Sequence, residues 1–266
     1  MKKALTIAGS DSSGGAGIQA DLKTFQEFGV YGMSSLTVIV AMDPHNNWNH
    51  QVFPVDLDII KCQAETVIAG IGVDAMKTGM LPTPEIIEFV AHTLKKHKIK
   101  NVVVDPVMVC KGAGEPVSPE GAECYKRTLV PLAAAVTPNI FEASQLSGIK
   151  DIKNIDDMKQ AAQIIKETGA GCVVIKGGKF AENENAVDVF YDGKKFEILE
   201  AERIDTKYTH GAGCTFSAAA AAELAKGSEI LNAFLRAKRF VTEAIRNSFA
   251  LNRFVGPLDH SAYNKL

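Results

Sequence analysis

Short apolar runs alternate with amphipathic segments along almost the whole chain. The apolar runs have the length of buried strands, and the segments between them have the spacing of helices with one apolar face. The predicted strands span residues 4–8, 35–41, 75–78, 101–105, 134–137 and 172–176. Strands that alternate with helices predict a doubly wound α/β fold, in which helices flank a mostly parallel central sheet on both faces.

The segment 187–198 departs from this rhythm. Apolar residues alternate with other residues on both sides of Asp192-Gly193. This pattern predicts a small β-hairpin. No internal repeat, low-complexity tract or Pro/Gly/Ser-rich linker divides the sequence, so we expect a single domain over residues 1–266.

The segment 209–214 has the sequence THGAGC and is followed by a mostly apolar run, 215–224. It predicts a glycine turn that opens a helix, and backbone N–H groups at such a helix start can bind a phosphate or a developing oxyanion. Cys214 lies at this positive end of the helix, so we expect a lowered thiol pKa and a cysteine that accepts a proton. The alternative is an ordinary turn before a buried helix, with Cys214 as a small apolar residue.

A second glycine-rich segment, GSDSSGGAG at residues 9–17, follows the first predicted strand. Residues 15–20 match the GxGxxA pattern of dinucleotide-binding folds. However, residues 10–14 separate the strand from this pattern, and Asp43 comes later than the acidic residue of such folds. A loop around a small polar molecule is therefore favoured. An ordinary strand-to-helix turn and a nicotinamide-dependent oxidoreductase are the alternatives.

Charged and amide side chains follow three other predicted strands. They are Asp105, Asn139, Glu142 and Lys176. Ligands of parallel sheets bind where the strands end, so these side chains are candidates for one site. The two carboxylates suit Mg²⁺, and Lys176 would neutralise a phosphate. Alternatively, Asp105 and Asn139 are helix caps, while Glu142 and Lys176 are exposed charges in a first helical turn.

Composition narrows the class of protein. The 29 basic and 31 acidic residues are mixed along the 266-residue chain, which argues against a nucleic-acid or membrane-surface partner. The N-terminus has no signal-peptide pattern, so we expect a cytoplasmic protein. The five cysteines lack CxxC spacing, which argues against a disulfide framework or a zinc site. The P-loop, GxSxG and HExxH motifs are absent.

Six segments together carry a resemblance that extends over essentially the whole chain. They are AGSDSSGGAGIQAD (8–21), KTGM (77–80), DPVM (105–108), TPNIFE (137–142), VIKGG (174–178) and HGAGCT (210–215). In their order and spacing they resemble the ribokinase-like superfamily, in the branch of hydroxymethylpyrimidine and pyridoxine kinases.

This resemblance implies transfer of the γ-phosphate of ATP, with Mg²⁺, to a hydroxymethyl group on an aromatic nitrogen heterocycle. Cys214 would be the base, where most of the superfamily has an aspartate, and Gly211 and Gly213 would form the anion hole. Asp105 and Glu142 would organise magnesium. The implied nucleotide-binding residues are Asn139, Lys176, Thr206, His210, Gly211 and Gly213. The implied substrate-binding residues are Gly9, Ser10, Asp11, Ala16, Asp21, Met80, Val107, Cys110 and Cys214.

The identity of the heterocycle depends on residues 40–50. Hydroxymethylpyrimidine kinases of this branch usually have a glutamine in a TAQNT segment, whereas this chain has VAMDPHNNWNH. Met42 cannot donate a hydrogen bond as that glutamine does. The segment is more similar to kinases of pyridoxine, pyridoxal and pyridoxamine, so vitamin B6 substrates are favoured. Hydroxymethylpyrimidine is the alternative substrate, and a nucleotide-binding protein without transfer activity is the alternative class.

Cys110 begins a loop, residues 110–119, whose glycines predict mobility and which closes over the substrate in this family. Pyridoxal carries an aldehyde that a thiol attacks reversibly. Cys110 is therefore a candidate to form a hemithioacetal while Cys214 serves as the base; the alternative is a spectator cysteine. Close relatives are dimeric, so the resemblance also implies a homodimer.

Overall fold

The computed structural model of the protein describes residues 1–108, 119–178 and 185–265. Within these residues nine strands form one sheet. Their bounds are β1 Lys3–Asp11, β2 Tyr31–Asp43, β3 Asn49–Pro54, β4 Ala75–Thr78, β5 Val102–Val104, β6 Ala135–Val136, β7 Cys172–Lys176, β8 Asn185–Tyr191 and β9 Phe196–Glu202. The α-helices are α1 Gly17–Glu27, α2 Leu57–Ile68, α3 Pro84–His97, α4 Pro119–Cys124, α5 Ile140–Ser147, α6 Ile155–Glu167, α7 Ala212–Lys226 and α8 Ile230–Arg246. Shorter helical turns are Tyr125–Leu129, Val130–Leu132 and Ala262–Lys265.

The strand order is β3-β2-β1-β4-β5-β6-β7-β8-β9. Neighbouring strands from β2 to β7 are parallel. At the two edges, β3 pairs antiparallel with β2, and β8 and β9 form an antiparallel hairpin beside β7. This topology confirms the predicted α/β fold with its mostly parallel sheet and its small hairpin.

Two features near the N-terminus differ from the sequence prediction. β1 continues to Asp11 rather than ending at residue 8, and its pairing with β2 shifts between Ala8 and Ser10. β3 is not predicted because its residues are mostly exposed and its three polar residues precede its three apolar ones, so neither a strand-length apolar run nor alternation marks it. As a result, the loop after β1 begins later than expected, and β3 extends the sheet next to it.

The sheet is buried on both faces, which explains why its central strands are apolar throughout. In β5, Val102 and Val104 belong to one core and Val103 to the other, since successive side chains of a strand point to opposite faces. Helices α2, α3, α5 and α6 cover the first face, and α1, α7 and α8 cover the second. Because one sheet joins strands from β1 to β9, we propose a single domain.

Residues 215–224 lie within α7 and are all buried. Their many alanines allow this helix to lie close to the sheet, against β1, β4 and β5. The enclosed helix holds the turn before it at the carboxyl edge of these strands. Neither α7 nor another helix of the described ranges combines the length and the apolar character that crossing a bilayer needs.

Candidate active site

A cavity of about 760 Å³ opens at the carboxyl edge of the sheet. Its walls come from the loops after β1, β4, β5, β6 and β7 and from the start of α7. Of the sequence-predicted site residues, those that line it are Gly9, Ser10, Asp11, Ala16, Met80, Asp105, Val107, Asn139, Glu142, Lys176, His210, Gly211, Gly213 and Cys214. The structure therefore brings the separate motifs to one cavity.

The turn before α7 packs directly on the loop after β1. Gly211 is the N-cap of α7 and has a φ of 86°, a left-handed conformation that favours glycine. A Cβ atom at Gly211 would overlap the backbone carbonyl of Gly15. The two glycine-rich segments thus form one continuous wall, and neither has room for a side chain at the contact.

Cys214 lies in the first turn of α7 and is partly exposed towards the cavity. Burial raises the pKa of its thiol, and the positive charge of Lys77 and a backbone hydrogen bond from Gly17 act in the opposite direction. The expectation of a lowered pKa is therefore wrong, because the loss of water around the sulfur outweighs these favourable groups. The alternative of a buried, purely apolar Cys214 is also wrong, since the residue lines the cavity.

Asp105 and Lys176 form an ion pair in this cavity. The Lys176 Nζ atom lies 2.6 Å from Asp105 Oδ1, and the hydroxyl of Ser217 donates a hydrogen bond to Asp105 Oδ2 at 3.2 Å. Burial opposes the charge on Lys176, but the carboxylates of Asp105 and Glu142 outweigh it and raise the Lys176 pKa. The alternative of an exposed first-turn charge is wrong for Lys176, whose side chain is mostly enclosed.

Asn139 and Glu142 form a capping box at the start of α5. Asn139 Oδ1 accepts a hydrogen bond from the Glu142 N–H, and Glu142 Oε2 accepts one from the Asn139 N–H. The cap interpretation of Asn139 is therefore confirmed, although both residues also line the cavity. Glu142 is buried rather than exposed, and burial raises its pKa to about 7 despite the nearby Lys176.

Asp11 organises the loop after β1. Its carboxylate accepts hydrogen bonds from the N–H groups of Ser13 and Ala16, and His210 Nε2 lies 2.6 Å from it. Burial alone would raise the Asp11 pKa, but the bonds from His210 and Ser13 lower it to about 2. Asp11 thus ties the β1 loop to the turn before α7 and also lines the cavity.

Two predicted site residues do not line the cavity. Asp21 is completely buried, and its carboxylate is bonded to Lys77 and to the Thr6 hydroxyl. Direct contact of Asp21 with a substrate is therefore wrong. Thr206 also lies outside the cavity lining, and its hydroxyl accepts a hydrogen bond from the Tyr208 N–H and lies near Ser248. Its role in nucleotide binding stays a prediction. Cys110 and nearly all of the predicted mobile loop lie outside the described residues.

Sequence reasoning missed several residues of the cavity wall. Lys77 stands inside the short buried strand β4, and the available signal was its place in the KTGM segment, residues 77–80. His50 reaches the cavity from β3. Asp188 and Lys238 form a second enclosed ion pair at 2.7 Å on the wall. The sequence around Asp188 does not indicate a cavity residue, because its partner Lys238 lies in α8, which follows much later in the chain.

The described residues contain no group of three or more His, Cys, Asp or Glu side chains placed to hold a metal ion. Asp105 and Glu142 nevertheless both face the cavity. Mg²⁺ that bridges nucleotide phosphates needs only one or two protein carboxylates, because phosphates and waters complete its shell. The donors present therefore fit magnesium that is bound together with a nucleotide.

Residues 11–259 match the phosphomethylpyrimidine kinase family. A pyridoxine kinase of Bacillus subtilis strain 168 is 64% identical over 262 residues, which cover 98% of this chain and 97% of that protein. A hydroxymethylpyrimidine/phosphomethylpyrimidine kinase of the same strain is 43% identical over 263 residues and covers 99% of this chain and 96% of its own.

Solved structures are similar over the same length. An ADP complex of Bacillus subtilis pyridoxal kinase superposes with a TM-score of 0.96 at 64% identity, covering 99% of each chain. Staphylococcus aureus pyridoxal kinase in complex with AMP-PCP and pyridoxal superposes with a TM-score of 0.94 at 48% identity, covering 100% of this chain and 96% of that chain. The similarity therefore includes every part of the cavity wall.

Proposed function

The chain belongs to the phosphomethylpyrimidine kinase family, and we propose that it is an ATP-dependent kinase of vitamin B6. It transfers the γ-phosphoryl group of ATP to the hydroxymethyl group of pyridoxal, pyridoxine or pyridoxamine. The observation that carries this proposal is that Cys214, the glycine turn before α7, and the Asp105–Lys176 pair line one cavity. A proton acceptor, an anion-binding turn and charged groups for a nucleotide are the parts that phosphoryl transfer requires.

In the proposed reaction, Cys214 Sγ accepts the proton of the substrate hydroxyl group. The hydroxyl oxygen forms a bond to the γ-phosphorus as the bond from that phosphorus to the β-phosphate oxygen breaks, and ADP leaves. The backbone N–H groups at Gly211 and Gly213 face the charge on the transferred group, where the N-terminus of α7 favours it. The protein contributes mainly position and charge.

The remaining charged residues belong to the nucleotide side of the cavity. Lys176 would neutralise phosphate charge, and Asn139 and His210 would border the nucleotide. Asp105 and Glu142 would hold Mg²⁺, which, when bound, offsets the negative charge of the phosphates. Because the pKa of Glu142 is raised to about 7, its carboxyl group must lose a proton before it acts as a ligand.

The substrate ring would lie against the apolar part of the wall. Met80 and Val107 line it as predicted, and Met42 and His50 line it from β2 and β3. Met42 is the position at which the pyrimidine kinases usually have a glutamine, so its presence in the wall supports vitamin B6 as the substrate class. We also propose that Cys110 contacts pyridoxal and that the enzyme is a cytoplasmic homodimer.

Hydroxymethylpyrimidine is the second candidate substrate, because the matched family and one 43% identical relative carry that activity in their names. A side-by-side assay of ADP release with pyridoxal, pyridoxine, pyridoxamine and hydroxymethylpyrimidine tests the choice. We expect kcat/KM for at least one B6 vitamer to exceed that for hydroxymethylpyrimidine by about tenfold or more, the ratio that ~1.4 kcal/mol of discrimination produces. The reverse order would assign the pyrimidine, and no stimulated ADP release with any of them would rule out both kinase activities.

A further inference from the structure

Lys77 and Asp21 form an ion pair inside the protein. Both side chains are 0% exposed, and Lys77 Nζ lies 3.0 and 2.9 Å from the two Asp21 carboxylate oxygens. The Thr6 hydroxyl donates a further hydrogen bond to Asp21 at 2.6 Å. Removing two charges from water costs several kcal/mol, and an apolar pair often stabilises a fold equally well. Stability alone therefore does not account for a lysine in the middle of β4.

The position of Lys77 relates it to the proposed base. Lys77 and Cys214 both line the cavity, Lys77 from β4 and Cys214 from the first turn of α7. Helix α7 packs on β4. A Cβ atom at Gly79 would lie 3.0 Å from Lys77 Nζ, so the glycine of the KTGM segment leaves space for the ammonium group. The lysine is thus held by its hydrogen bonds to Asp21, and Gly79 leaves room for its ammonium group.

The charges around Cys214 differ in sign. Burial and the carboxylates of Asp21 and Asp105 raise the pKa of the thiol, whereas Lys77 is the strongest group that lowers it, followed by the Gly17 backbone. Lys77 remains charged because Asp21, Cys214 and Asp105 outweigh the effect of burial and raise the Lys77 pKa. A base in this environment is helped by a nearby cation, because burial leaves less water to stabilise the thiolate.

Lys176 also interacts with Cys214. It is already paired with Asp105 at 2.6 Å, and a nucleotide phosphate would engage it further. Lys77 is instead paired with Asp21, and this pair is more enclosed, since both of its side chains are 0% exposed whereas Lys176 is 15% exposed. The charge of Lys77 therefore stays available to the sulfur throughout the reaction.

We propose that Lys77, held by Asp21, is a positioning residue that stabilises the thiolate of Cys214 and so enables this cysteine to take the proton of the substrate hydroxyl. The role of Cys214 as the base rests on the proposed function. The effect of Lys77 on the thiol does not, and it can be measured in the protein without ATP or a vitamer.

The test measures alkylation of Cys214 by iodoacetamide as a function of pH, from about pH 6 to about pH 10.5, with the labelled peptide quantified by mass spectrometry. Peptide analysis separates Cys214 from Cys62, Cys110, Cys124 and Cys172. The midpoint of the profile, rather than the rate, reports the thiol pKa, because thiolate nucleophilicity also changes with pKa. Lys77→Gln removes the charge and keeps an amide that can donate to Asp21.

We expect Lys77→Gln to move the midpoint upward by about one pH unit, which lowers the thiolate fraction about tenfold at neutral pH. The double variant Lys77→Met/Asp21→Asn removes both charges, and its midpoint should rise less, because the Asp21 carboxylate opposes the thiolate. If one of these two variants fails to fold, the alkylation midpoint of the other tests the proposal. Loosened packing would move the midpoint in the opposite direction, since water entering the site stabilises the thiolate.

Lys226→Met is the matched control. Lys226 lies at the other end of the same helix, α7, and its ammonium is 2.6 Å from the buried carboxylate of Glu223. This variant should leave the Cys214 midpoint unchanged. In the kinase assay, Lys77→Gln should lower kcat at neutral pH with little change in KM for ATP, and the loss should shrink at higher pH.

An unchanged or lowered midpoint in folded Lys77 variants would overturn the proposal, whatever substrate the enzyme uses. Conversely, a raised midpoint in a protein that fails to phosphorylate any B6 vitamer would leave the effect on the thiol standing and refute only the proposed function. The two results are therefore distinguishable.

Discussion

The ammonium group of Lys176 lies 2.6 Å from the carboxylate of Asp105, 71 positions earlier in the chain. Lys176 is the last residue of β7 and Asp105 directly follows β5, with β6 between these two strands. This pair neutralises two charges that would otherwise be costly in an enclosed site. A nucleotide that enters the cavity must compete with Asp105 for Lys176. Nucleotide binding would therefore replace an internal partner of Lys176 by a ligand.

Replacing Lys176 with Met should weaken the use of ATP. Loss of a charged hydrogen bond to phosphate typically costs ~1.5–3 kcal/mol, so we expect kcat/KM for ATP to fall about 10- to 100-fold, with a smaller change in KM for pyridoxal. Lys195→Met, which removes an exposed pair with Glu197, is the control and should behave like the native enzyme. Unchanged ATP kinetics in Lys176→Met would remove Lys176 from the nucleotide site.

Cys214→Ala should abolish most of the turnover and leave ATP affinity nearly unchanged. A general base typically contributes about 10²- to 10⁴-fold, which sets the expected loss in kcat. Cys214→Asp should retain part of the rate, because a carboxylate can accept the same proton. Cys62→Ala, at an exposed thiol, is the control. Turnover and calorimetric ATP binding check this, and an alanine variant with most of its activity would show that Cys214 is not the base.

Gly211→Ala should lower both stability and activity, because a Cβ atom there would collide with the backbone of Gly15. The comparison is Gly227→Ala at the other end of α7, where φ is 92° but no atom lies within 4 Å of the added Cβ. Both variants should lose roughly 1–2 kcal/mol from left-handed strain. Only Gly211→Ala should also lose about 10²-fold or more in kcat. Equal activities would show that the contact between the two glycine segments does not position the site.

The stability of the protein should depend on His260 in the mildly acidic range. Burial lowers the His260 pKa to about 4, and Thr215 lies 3.0 Å from its Nε2 atom. The unfolded chain therefore binds a proton near pH 6.5 that the folded protein does not bind until about pH 4. The contribution of neutral His260 is complete above about pH 6.5 and is lost as the pH falls towards about 4.

Urea unfolding between these pH values checks this expectation. The free energy of unfolding of the native protein should fall by up to about 3 kcal/mol more than that of His260→Gln, which does not titrate. Other groups contribute equally to both proteins and cancel in the difference. Parallel pH profiles would mean that His260 is accessible to protons in the folded state.

Much of the sheet was predictable from local patterns. The bounds of β4 and β7 agree with the prediction. In β7 the reason is clear, since a strand that is buried on both faces is marked by an apolar run. β3 was not predictable, since an exposed edge strand has neither an apolar run nor alternation. Its existence depends on pairing with β2, and this pairing brings His50 to the cavity.

Most of the predicted site residues do line the cavity, but the partners of their side chains were not predictable. Asp21 belongs to a motif that borders the cavity, yet its own carboxylate is enclosed with Lys77. Neither helical spacing nor membership of a motif shows whether a side chain faces the cavity or is enclosed in the protein. The thiol pKa of Cys214 was predicted in the wrong direction because a helix start is a local feature, whereas burial depends on how the β1 loop and β4 surround the sulfur.

The periodicity of the chain is enough to establish its alternating strands and helices, and strand direction then places the motif residues along one edge of the sheet. These conclusions need only local backbone preferences and the rule that parallel strands end together. Which charges meet, as in the pairs Asp105–Lys176, Asp11–His210 and Asp21–Lys77, depends on long-range packing. Packing also sets how much water reaches each group, and hence whether a side chain contacts a ligand or holds another residue that does.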